Sequence, residues 1–296
     1  MAHVERFAPS PTGPLHLGHA FSALTAWDRA AANGGEFLLR IEDIDQSRAR
    51  SEWEAQIYED LAWLGISWPK PVLRQSERRS AYRKALKYLW NKNRLYPCTC
   101  TRRDIIEATQ APQEGAPVHG PDGVVYPGTC FPYPADMSDH PFPENQTLRL
   151  DMNVCSMTLG EPRLNWQRYF SFQETGAGPN GEAGLVEFTA DEALKTIGDI
   201  VLARRDMGTS YHLSVVLDDA FQGVTHVTRG QDLFEATKIH VILQKLLDLP
   251  TPTYHHHRLI RDDNGKRLAK RDDARAISKY RAEGATPEDI RRMVGL

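Results

Sequence analysis

Apolar residues recur with the period of a helix between positions 17 and 31, and a β-favouring run lies on each side. The stripe stops at Gly34 and Gly35, which favour a helix end. His3–Ala8 precedes it and Phe37–Ile41 follows it as predicted strands. Strand, loop, helix and strand within about forty residues predict a parallel pair with a right-handed crossover. The apolar positions of the stripe are Leu17, Ala20, Phe21, Leu24, Trp27 and Ala31.

The same alternation returns in the second half of the chain. Ile200–Ala203 and Val224–Thr228 are predicted strands, each followed by a helical stripe, and two more helices are predicted around residues 57–64 and 82–89. These elements predict an α/β fold with a Rossmann-like, doubly wound parallel sheet, whose ligands bind at the carboxyl ends of the strands. The later stripes contain Tyr211, Val215 and Val216, and Ile239, Ile242, Leu243 and Leu246.

The stretch from residue 95 to residue 195 has a different texture, with dense proline and glycine and weak periodicity. We predict that it is a module inserted between the two halves of the sheet. Gly176–Gly181 matches the glycine pattern of dinucleotide-binding loops, but the polar residues 173–175 precede it instead of a buried strand. We therefore interpret this segment as a flexible loop.

Composition and charge exclude several classes of protein. The chain has 296 residues, with 41% hydrophobic and 25% charged side chains, which is an ordinary globular mixture. Its 36 basic and 39 acidic side chains give a formal charge of −3, so a polyanionic partner would have to be bound by local patches. No apolar run approaches the roughly 18 residues of a membrane span, and the first residues lack a secretory profile. We expect a cytoplasmic, monomeric protein without membrane contact.

Two histidines lie between the first predicted strand and its helix. A helix N-terminus has unpaired amides and a partial positive charge that attract phosphate. Gly18 allows a phosphate or a flat ring to approach the backbone closely, and His16 and His19 share one face of the helix. The alternative is that both histidines only cap the helix, and their spacing does not decide between the two functions.

Two charged segments are weaker candidates. Gly265–Arg271 would stabilise a departing pyrophosphate, although such a run is more often a solvated face, and it lacks the Ser or Thr that completes a Walker A loop. Arg40–Asp45 ends the second predicted strand with three acidic residues. These would hold an ammonium group or pair with local arginines, and Asp43 and Asp45 are also conceivable metal ligands.

Three of the four cysteines, Cys98, Cys100 and Cys130, lie close together in the sequence. In a reducing compartment, clustered thiols favour metal binding over disulfides. A structural zinc ion requires four ligands. The residues alone favour His119 as the fourth, because the intrinsic pKa of Tyr126 is near 10. Three unconnected thiols are the alternative.

Several motifs, occurring in this order, resemble those of class I aminoacyl-tRNA synthetases, most closely the enzymes specific for glutamate and glutamine. His16–His19 is similar to the first signature of that class, and Arg267–Arg271 to its second, the Lys-Met-Ser-Lys-Ser loop. The resemblance covers nearly the whole chain. The other similar segments are Arg6–Gly13, Arg40–Asp43, Cys98–Arg102 and Phe221–Thr225.

The chain departs from the family pattern at three places. Arg267 replaces the first lysine of the second signature and Ala269 replaces its serine, whereas Lys270 is retained. Residues 171–186 are longer and richer in glycine than the resemblance leads us to expect.

Glutamyl-tRNA synthetases continue into a large helical anticodon-binding region, whereas residues 272–296 are long enough for only two short helices. The chain therefore resembles the truncated paralogues, the glutamyl-Q tRNA(Asp) synthetases. The resemblance implies that L-glutamate is activated by ATP with Mg²⁺ and transferred to queuosine in the anticodon of tRNA(Asp). A minimal glutamyl-tRNA synthetase that charges the acceptor end of tRNA(Glu), or a non-catalytic tRNA-binding paralogue, are the alternatives.

The resemblance also assigns the site residues by position. His16, Gly18, His19 and Lys270 would bind ATP. His16, His19 and Lys270 would be catalytic, with Lys270 stabilising the transition state at the α-phosphate. Glu42 would face the α-ammonium group of glutamate, and a guanidinium, which can bond a carboxylate through two N–H groups, would face its side chain. The residues expected to bind glutamate are Arg6, Ala8, Ser10, Glu42, Tyr211 and Arg229.

The family's Cys-x-Cys and Tyr-x3-Cys pattern implies one structural Zn²⁺ ion held by Cys98, Cys100, Tyr126 and Cys130, with Tyr126 in place of His119. We accordingly predict four segments. They are the first half of a nucleotide-binding catalytic domain (1–94), an inserted acceptor-like module with the zinc site (95–195), the second half of the catalytic domain (196–260), and the lysine loop with a short helical end (261–296).

Overall fold

The first βαβ unit is present as predicted. Strand β1 (Val4–Phe7) pairs in parallel with β2 (Glu36–Ile41), and the crossover helix α1 (Leu17–Ala32) joins them. Gly34 has a φ of +58°, and a Cβ on Gly35 would lie 2.2 Å from the backbone oxygen of the residue that precedes β1. The two glycines therefore let the chain turn into β2 close to the start of β1. The computed structural model describes residues 2–110, 119–131, 140–162, 167–261 and 275–296.

Helices and strands alternate through the rest of the described chain. The helices are α2 (Ser51–Trp63), α3 (Arg79–Asn91), α4 (Arg102–Gln110), α5 (Met152–Thr158), α6 (Ala190–Thr196), α7 (Tyr211–Phe221), α8 (Phe234–Leu246), α9 (Ile277–Ala282) and α10 (Pro287–Val294). The strands are β3 (Leu73–Arg74), β4 (Leu95–Cys98), β5 (His119–Gly120), β6 (Gly123–Val124), β7 (Thr147–Leu150), β8 (Glu161–Pro162), β9 (Arg168–Glu174), β10 (Gly184–Thr189), β11 (Val201–Ala203), β12 (His226–Gly230) and β13 (Thr253–His257).

Parallel strands form the centre of the molecule, which confirms an α/β fold with a parallel sheet. One sheet has the order β1-β2-β3, and a second has the order β10-β9-β13-β12 with β8 on β9. Strand β13 is parallel to both β12 and β9. The N–H of Thr225 donates to the backbone oxygen of Val4 at 3.1 Å, so β12 lies alongside β1. The carboxyl ends of β1, β2, β12 and β13 consequently lie near one another.

The pairing of two segments differs from the sequence expectation. Residues 200–203 were expected to restart the parallel sheet, but β11 pairs antiparallel with β7 in a small sheet that also contains β4. Strands β9 and β10, which lie within the predicted insertion, join the sheet of β12 and β13. The hydrophobic pattern of a strand indicates that the strand is buried, but it does not indicate which strand it pairs with. Both pairings therefore depend on tertiary contacts.

The glycine-rich segment follows a strand after all. Residues 173 and 174 belong to β9, and Glu174 is only 2% exposed despite its charge. The expected reason for rejecting a nucleotide loop was therefore wrong, because polar residues hid the strand. Nevertheless, the segment joins β9 to the antiparallel β10 and does not open a helix, so it does not form a dinucleotide-binding turn.

The two short helices expected at the end of the chain are α9 and α10. Helix α10 packs on α1, and Arg291 forms two hydrogen bonds of 2.7 and 2.8 Å with the carboxylate of Asp28. Ile290 and Val294 share an apolar cluster with α1, β2 and α2. Among the described residues, no helix has the length and apolarity required to span a bilayer.

Candidate active site

A cavity of about 330 Å³ lies at the carboxyl ends of β1, β2, β12 and β13. The residues that follow these strands contribute to its wall, which is the arrangement expected for a ligand site of a doubly wound fold. It brings together eight of the residues assigned to glutamate or ATP by resemblance. These are Arg6, Ala8, His16, Gly18, His19, Glu42, Tyr211 and Arg229.

His16 and His19 cap the first turn of α1 and also line the cavity. The N–H of Gly18 donates to His16 Nδ1 at 3.1 Å, and the N–H of His16 donates to His19 Nδ1 at 3.3 Å. Because each Nδ1 accepts a hydrogen bond, each ring has its proton on Nε2. The rings stack with their centroids 3.8 Å apart. Capping and ligand contact are therefore compatible functions of the same two side chains.

The end of β2 places Glu42 in a buried group of charges. Arg40, which is fully buried, donates to Glu42 at 3.2 Å and to Asp219 of α7 at 2.6 Å. Arg6 of β1 also donates to Asp219, at 3.2 Å. Burial raises the pKa of Glu42, against the opposing effects of Arg40 and Arg6. Burial acts in the same direction on Asp219, but the two guanidiniums outweigh it and hold the pKa of Asp219 below its usual range.

Arg229 and Tyr211 line the cavity from β12 and α7. The hydroxyl of Ser210 caps α7 and so fixes the position of Tyr211 at the start of that helix. Burial raises the pKa of Tyr211, which keeps its hydroxyl protonated. Arg229 is 5% exposed and, among the described residues, forms no ion pair with a carboxylate. Its side chain therefore brings a positive charge to the cavity that a carboxylate of the ligand can neutralise.

One predicted site residue lies away from this cavity, and another lies outside the described residues. Ser10 is exposed and does not contribute to the cavity wall. Lys270 lies outside the described residues, as do Gly265, Arg267 and the rest of the second signature. The described residues beyond each end of that gap do lie at the site. Ile260 lines the cavity, and a β-bridge joins residue 276 to His16.

Asp43 and Asp45 act as local hydrogen-bond acceptors. Asp43 accepts from the N–H and the hydroxyl of Ser76 at 2.8 and 2.6 Å. Asp45 pairs with Arg48 at 2.6 Å, as one of the expected alternatives had it. Among the described residues, neither belongs to a group of side chains close enough to hold a metal ion.

Sequence reasoning missed several side chains of the site. Asp219 lies within an apolar helical stripe. The only signal in the sequence that could have found it is a carboxylate at a position that the stripe predicts to be buried. Asp232 and His257 also line the cavity, and each follows or ends a parallel strand, the position where ligand contacts are expected. His257 is fixed by a contact of 2.6 Å between its Nε2 and the hydroxyl of Ser22.

The cysteine cluster forms a second candidate site, in the part of the chain predicted as an insertion. The sulfur atoms of Cys98, Cys100 and Cys130 all lie within 4.8 Å of one another, so a metal site with three thiolate ligands is possible. The hydroxyl of Tyr126 is 3.5 Å from the sulfur of Cys98 and 3.3 Å from that of Cys100. His119 is exposed in β5 and does not belong to the group of ligand atoms.

The donor set fits a tetrahedral zinc ion. Zn–S bonds of about 2.3 Å place the sulfurs about 3.8 Å apart, and the sulfurs of Cys100 and Cys130 are 3.4 Å apart. Burial raises the pKa of Cys100 to about 11. Burial also acts against the thiolate of Cys130, but hydrogen bonding, led by Tyr126, outweighs it and lowers that pKa to about 6. Arg149, also missed from the sequence, donates to the sulfur of Cys98 at 3.2 Å.

A family model now identifies the class of protein. The model described as "tRNA synthetases class I (E and Q), catalytic domain" matches residues 3–150 and 181–296. The chain belongs to this family. The predicted resemblance is therefore confirmed, and with it the prediction that the chain is a ligase of the class I aminoacyl-tRNA synthetase type.

Individual relatives refine this assignment. A protein of Rhodobacter capsulatus named glutamyl-Q tRNA(Asp) synthetase is 60% identical over 293 residues, covering 99% of this chain and 100% of the relative. A protein of the same name from Symbiobacterium thermophilum is 38% identical, covering 96% of this chain and 83% of the relative. The solved glutamate tRNA ligase of Elizabethkingia meningosepticum, in complex with its amino acid, is 26% identical with a TM-score of 0.71. The match covers all of this class I synthetase and 61% of that ligase.

Proposed function

We propose that this synthetase activates L-glutamate with ATP and transfers it to the queuosine base in the anticodon of tRNA(Asp). The observation that carries the proposal is the full-length similarity to the Rhodobacter capsulatus protein, whose name describes a glutamyl-Q tRNA(Asp) synthetase. The cavity supports it, because it offers separate groups for a phosphate chain and for an amino acid with two carboxylates.

In the activation step, the α-carboxylate of glutamate attacks the α-phosphate of ATP. A carboxylate–phosphorus bond forms, the bond to the β-phosphate breaks, and pyrophosphate leaves. The substrate supplies the nucleophile, so the protein contributes positioning and stabilisation of negative charge. The Nε2–H groups of His16 and His19 and the N-terminus of α1 face the phosphates, and Lys270 stabilises the charge that develops at the α-phosphate. Mg²⁺ accompanies ATP as part of the substrate.

Glutamate is held by charge at both of its ends. The carboxylate of Glu42 binds the α-ammonium group, while Arg229 and the hydroxyl of Tyr211 bind the side-chain carboxylate. Arg6 and Ala8 complete the pocket. The contacts of Glu42 with the ammonium group and of Arg229 with the carboxylate each couple opposite charges, which gives hydrogen bonds about twice as strong as neutral ones.

In the transfer step, a hydroxyl of the cyclopentene-diol ring attacks the carbonyl carbon of glutamyl adenylate. An ester bond forms, the bond between the carbonyl carbon and the phosphate oxygen breaks, and AMP leaves. The hydroxyl proton is lost to the departing phosphate or to solvent. Cys98, Cys100, Tyr126 and Cys130 would hold a zinc ion with a structural role, since four protein ligands would leave no open position for substrate.

The deciding experiment offers labelled glutamate and ATP to three tRNA pools. These are tRNA(Asp) with queuosine, tRNA(Asp) without it, and tRNA(Glu). We expect label only on the first, and only in the nuclease fragment that contains the anticodon. Label on tRNA(Glu) in its 3′-terminal fragment would identify a minimal glutamyl-tRNA synthetase instead.

A second measurement distinguishes an enzyme from a non-catalytic paralogue. Glutamate-dependent exchange of labelled pyrophosphate into ATP reports the activation step alone. We expect the exchange in the unmodified protein and its loss, by at least about a hundredfold, in Lys270→Ala. Lys266→Ala, in the same segment, is the matched control and should keep most of the exchange. Absence of exchange in the unmodified protein would reject the proposed activation.

A further inference from the structure

Arg229 is held in place entirely by neutral groups. Its Nε–H donates to His256 Nε2 at 3.3 Å, and one terminal nitrogen donates to His240 Nδ1 at 3.1 Å. The other terminal nitrogen donates to the backbone oxygen of Leu233 at 3.0 Å and to the hydroxyl of Thr237. A guanidinium has five N–H groups, so these four bonds leave one for a ligand. A contact through two N–H groups would require one of the protein bonds to break.

The direction of these bonds fixes where the imidazole protons lie. A guanidinium can only donate, so His256 Nε2 accepts and the ring proton of His256 is on Nδ1. That proton points at the carboxylate of Glu174, which is 2.5 Å away. By the same reasoning, His240 has its proton on Nε2, which lies 3.1 Å from His212 Nδ1. Both rings are therefore neutral hydrogen-bond acceptors toward Arg229.

The charges around the rings agree with this assignment. Burial lowers the pKa of His256, and Arg229 lowers it further while the bond to Glu174 acts in the other direction. Burial and then Arg229 lower the pKa of His240 well below its usual range. Hydrogen bonding to His256 outweighs burial at Glu174 and lowers its pKa, so Glu174 is a carboxylate. The positive charge of Arg229 and the negative charge of Glu174 are thus separated by one imidazole.

The fold places Glu174 at this point by close packing between β9 and β13. Its second oxygen accepts from the N–H of His256 at 2.9 Å and from the N–H of Gly176 at 2.7 Å. A Cβ on Gly176 would lie 2.2 Å from the backbone oxygen of His256, so only glycine lets these two backbone segments approach this closely. Glu174 lies in the segment between residues 150 and 181, which the family model does not match.

We propose that Glu174 and His256 are positioning residues for Arg229 in the recognition of the substrate's side-chain carboxylate. This inference rests on the proposed function, which assigns Arg229 to that carboxylate. A carboxylate bonded directly to Arg229 would neutralise the guanidinium and compete with the substrate. The imidazole of His256 fixes the guanidinium through a lone pair, while Glu174 fixes the ring and makes its Nε2 a stronger acceptor. One N–H group of Arg229 is thereby oriented toward the ligand, and the positive charge of the guanidinium remains available to the ligand.

The test is the pyrophosphate exchange of Glu174→Gln, with the KM values for glutamate and for ATP measured separately. We expect the KM for glutamate to rise about tenfold, because a charge-assisted contact is weakened. The KM for ATP and kcat should stay within about twofold. Asp60→Asn is the matched control. It also replaces a fully buried carboxylate by an amide, but Asp60 does not line the cavity, and neither KM should change.

A second variant keeps the test decisive if Glu174→Gln folds poorly. His256→Gln should raise the KM for glutamate by a similar factor, and the double variant should raise it no further, because both residues act along one path. A folded His256→Gln with the KM of the unmodified protein would overturn the inference. So would equal changes in both KM values and kcat, which indicate general damage. If Arg229→Gln itself left the KM for glutamate unchanged, the proposed assignment of Arg229 would fail instead.

Discussion

Two buried groups of side chains lie at the cavity, one around Arg6 and one around Arg229, and the positive charges of these arginines are stabilised in opposite ways. Arg6 and Arg40 bond directly to the carboxylate of Asp219, and Arg40 also bonds to Glu42. Arg229 contacts imidazoles, a hydroxyl and a backbone oxygen. The first group is internally neutral and the second has an unmatched positive charge. The difference separates a guanidinium whose charge is neutralised within the protein from one whose charge is left for a ligand.

The cost of burial explains why both arrangements are needed. A buried charge without a partner is expensive, so most arginines under a cavity are paired with carboxylates. Hydrogen bonds to neutral acceptors satisfy the N–H groups of Arg229 but leave its charge, which is compensated when an anionic ligand binds. We therefore expect variants of Asp219 and Arg40 to act mainly on stability, and variants of Arg229 mainly on glutamate binding.

The largest effect is expected for Asp219→Asn. It leaves Arg6 and Arg40 buried with less compensating charge, and the free energy of unfolding should fall by about 3–5 kcal/mol. Denaturant unfolding followed by circular dichroism measures this change. Asp60→Asn is the matched control, because the oxygens of Asp60 accept no hydrogen bond among the described residues and its ion pair with Arg281 is long, at 3.7 Å, so that the substitution should cost little. Equal stability of the two variants would contradict the proposed role of Asp219 in stabilising the fold.

Arg229→Gln should show the reverse pattern. The KM for glutamate in pyrophosphate exchange should rise about 10- to 100-fold, because one charge-assisted hydrogen bond to the substrate is lost. The free energy of unfolding should fall by less than in Asp219→Asn, since no carboxylate is left unpaired. If the two variants lowered stability equally and changed the KM equally, the distinction between the two groups would be wrong.

The pH dependence of Glu42 sharpens the comparison within the first group. Burial raises the pKa of Glu42, so the folded protein takes up this proton at higher pH than the unfolded chain does. Glu42 therefore contributes more stability as the pH falls through its raised pKa, whereas the ammonium-binding carboxylate is lost over the same range. We expect the KM for glutamate to rise as the pH is lowered through the raised pKa of Glu42. This rise should be absent in Glu42→Gln, whose KM is already high at neutral pH.

Much of the fold could be predicted because local patterns determine it. The apolar period of α1, the glycines after it and the β-favouring run of β2 specify one βαβ unit without reference to the rest of the chain. Partner choice could not be predicted in the same way. Residues 200–203 are buried in either sheet, so their hydrophobicity does not distinguish β7 from a parallel neighbour. Polar side chains likewise masked the end of β9.

The residues of the site fall into the same two classes, those indicated by local sequence patterns and those that depend on long-range contacts. His16, His19 and Glu42 follow strands or begin a helix, and such positions can be found in a sequence. Asp219, Glu174 and His256 are distant in the chain from the groups that they hold, and no spacing connects them. His256 and His257 are neighbours in the sequence but contact different parts of the site, which composition alone could not separate. Long-range polar contacts are therefore the part that required coordinates.

The smallest effect on glutamate binding is expected from removal of the metal. In the described residues, the side chains of the cysteine cluster contact Tyr126, Thr99 and Arg149 and none of the arginines at the cavity. A chelator should release one zinc ion per chain and lower the thermal midpoint by several degrees, since a ligand of the folded state is lost. The KM for glutamate should stay within about twofold.

Tyr126→Phe, which removes one ligand atom and keeps the ring beneath Arg149, should lower the zinc content without changing the KM for glutamate. A rise in KM similar to that of Arg229→Gln would show that the metal site and the charge of Arg229 are coupled, and the two groups at the cavity would then not suffice to explain glutamate binding.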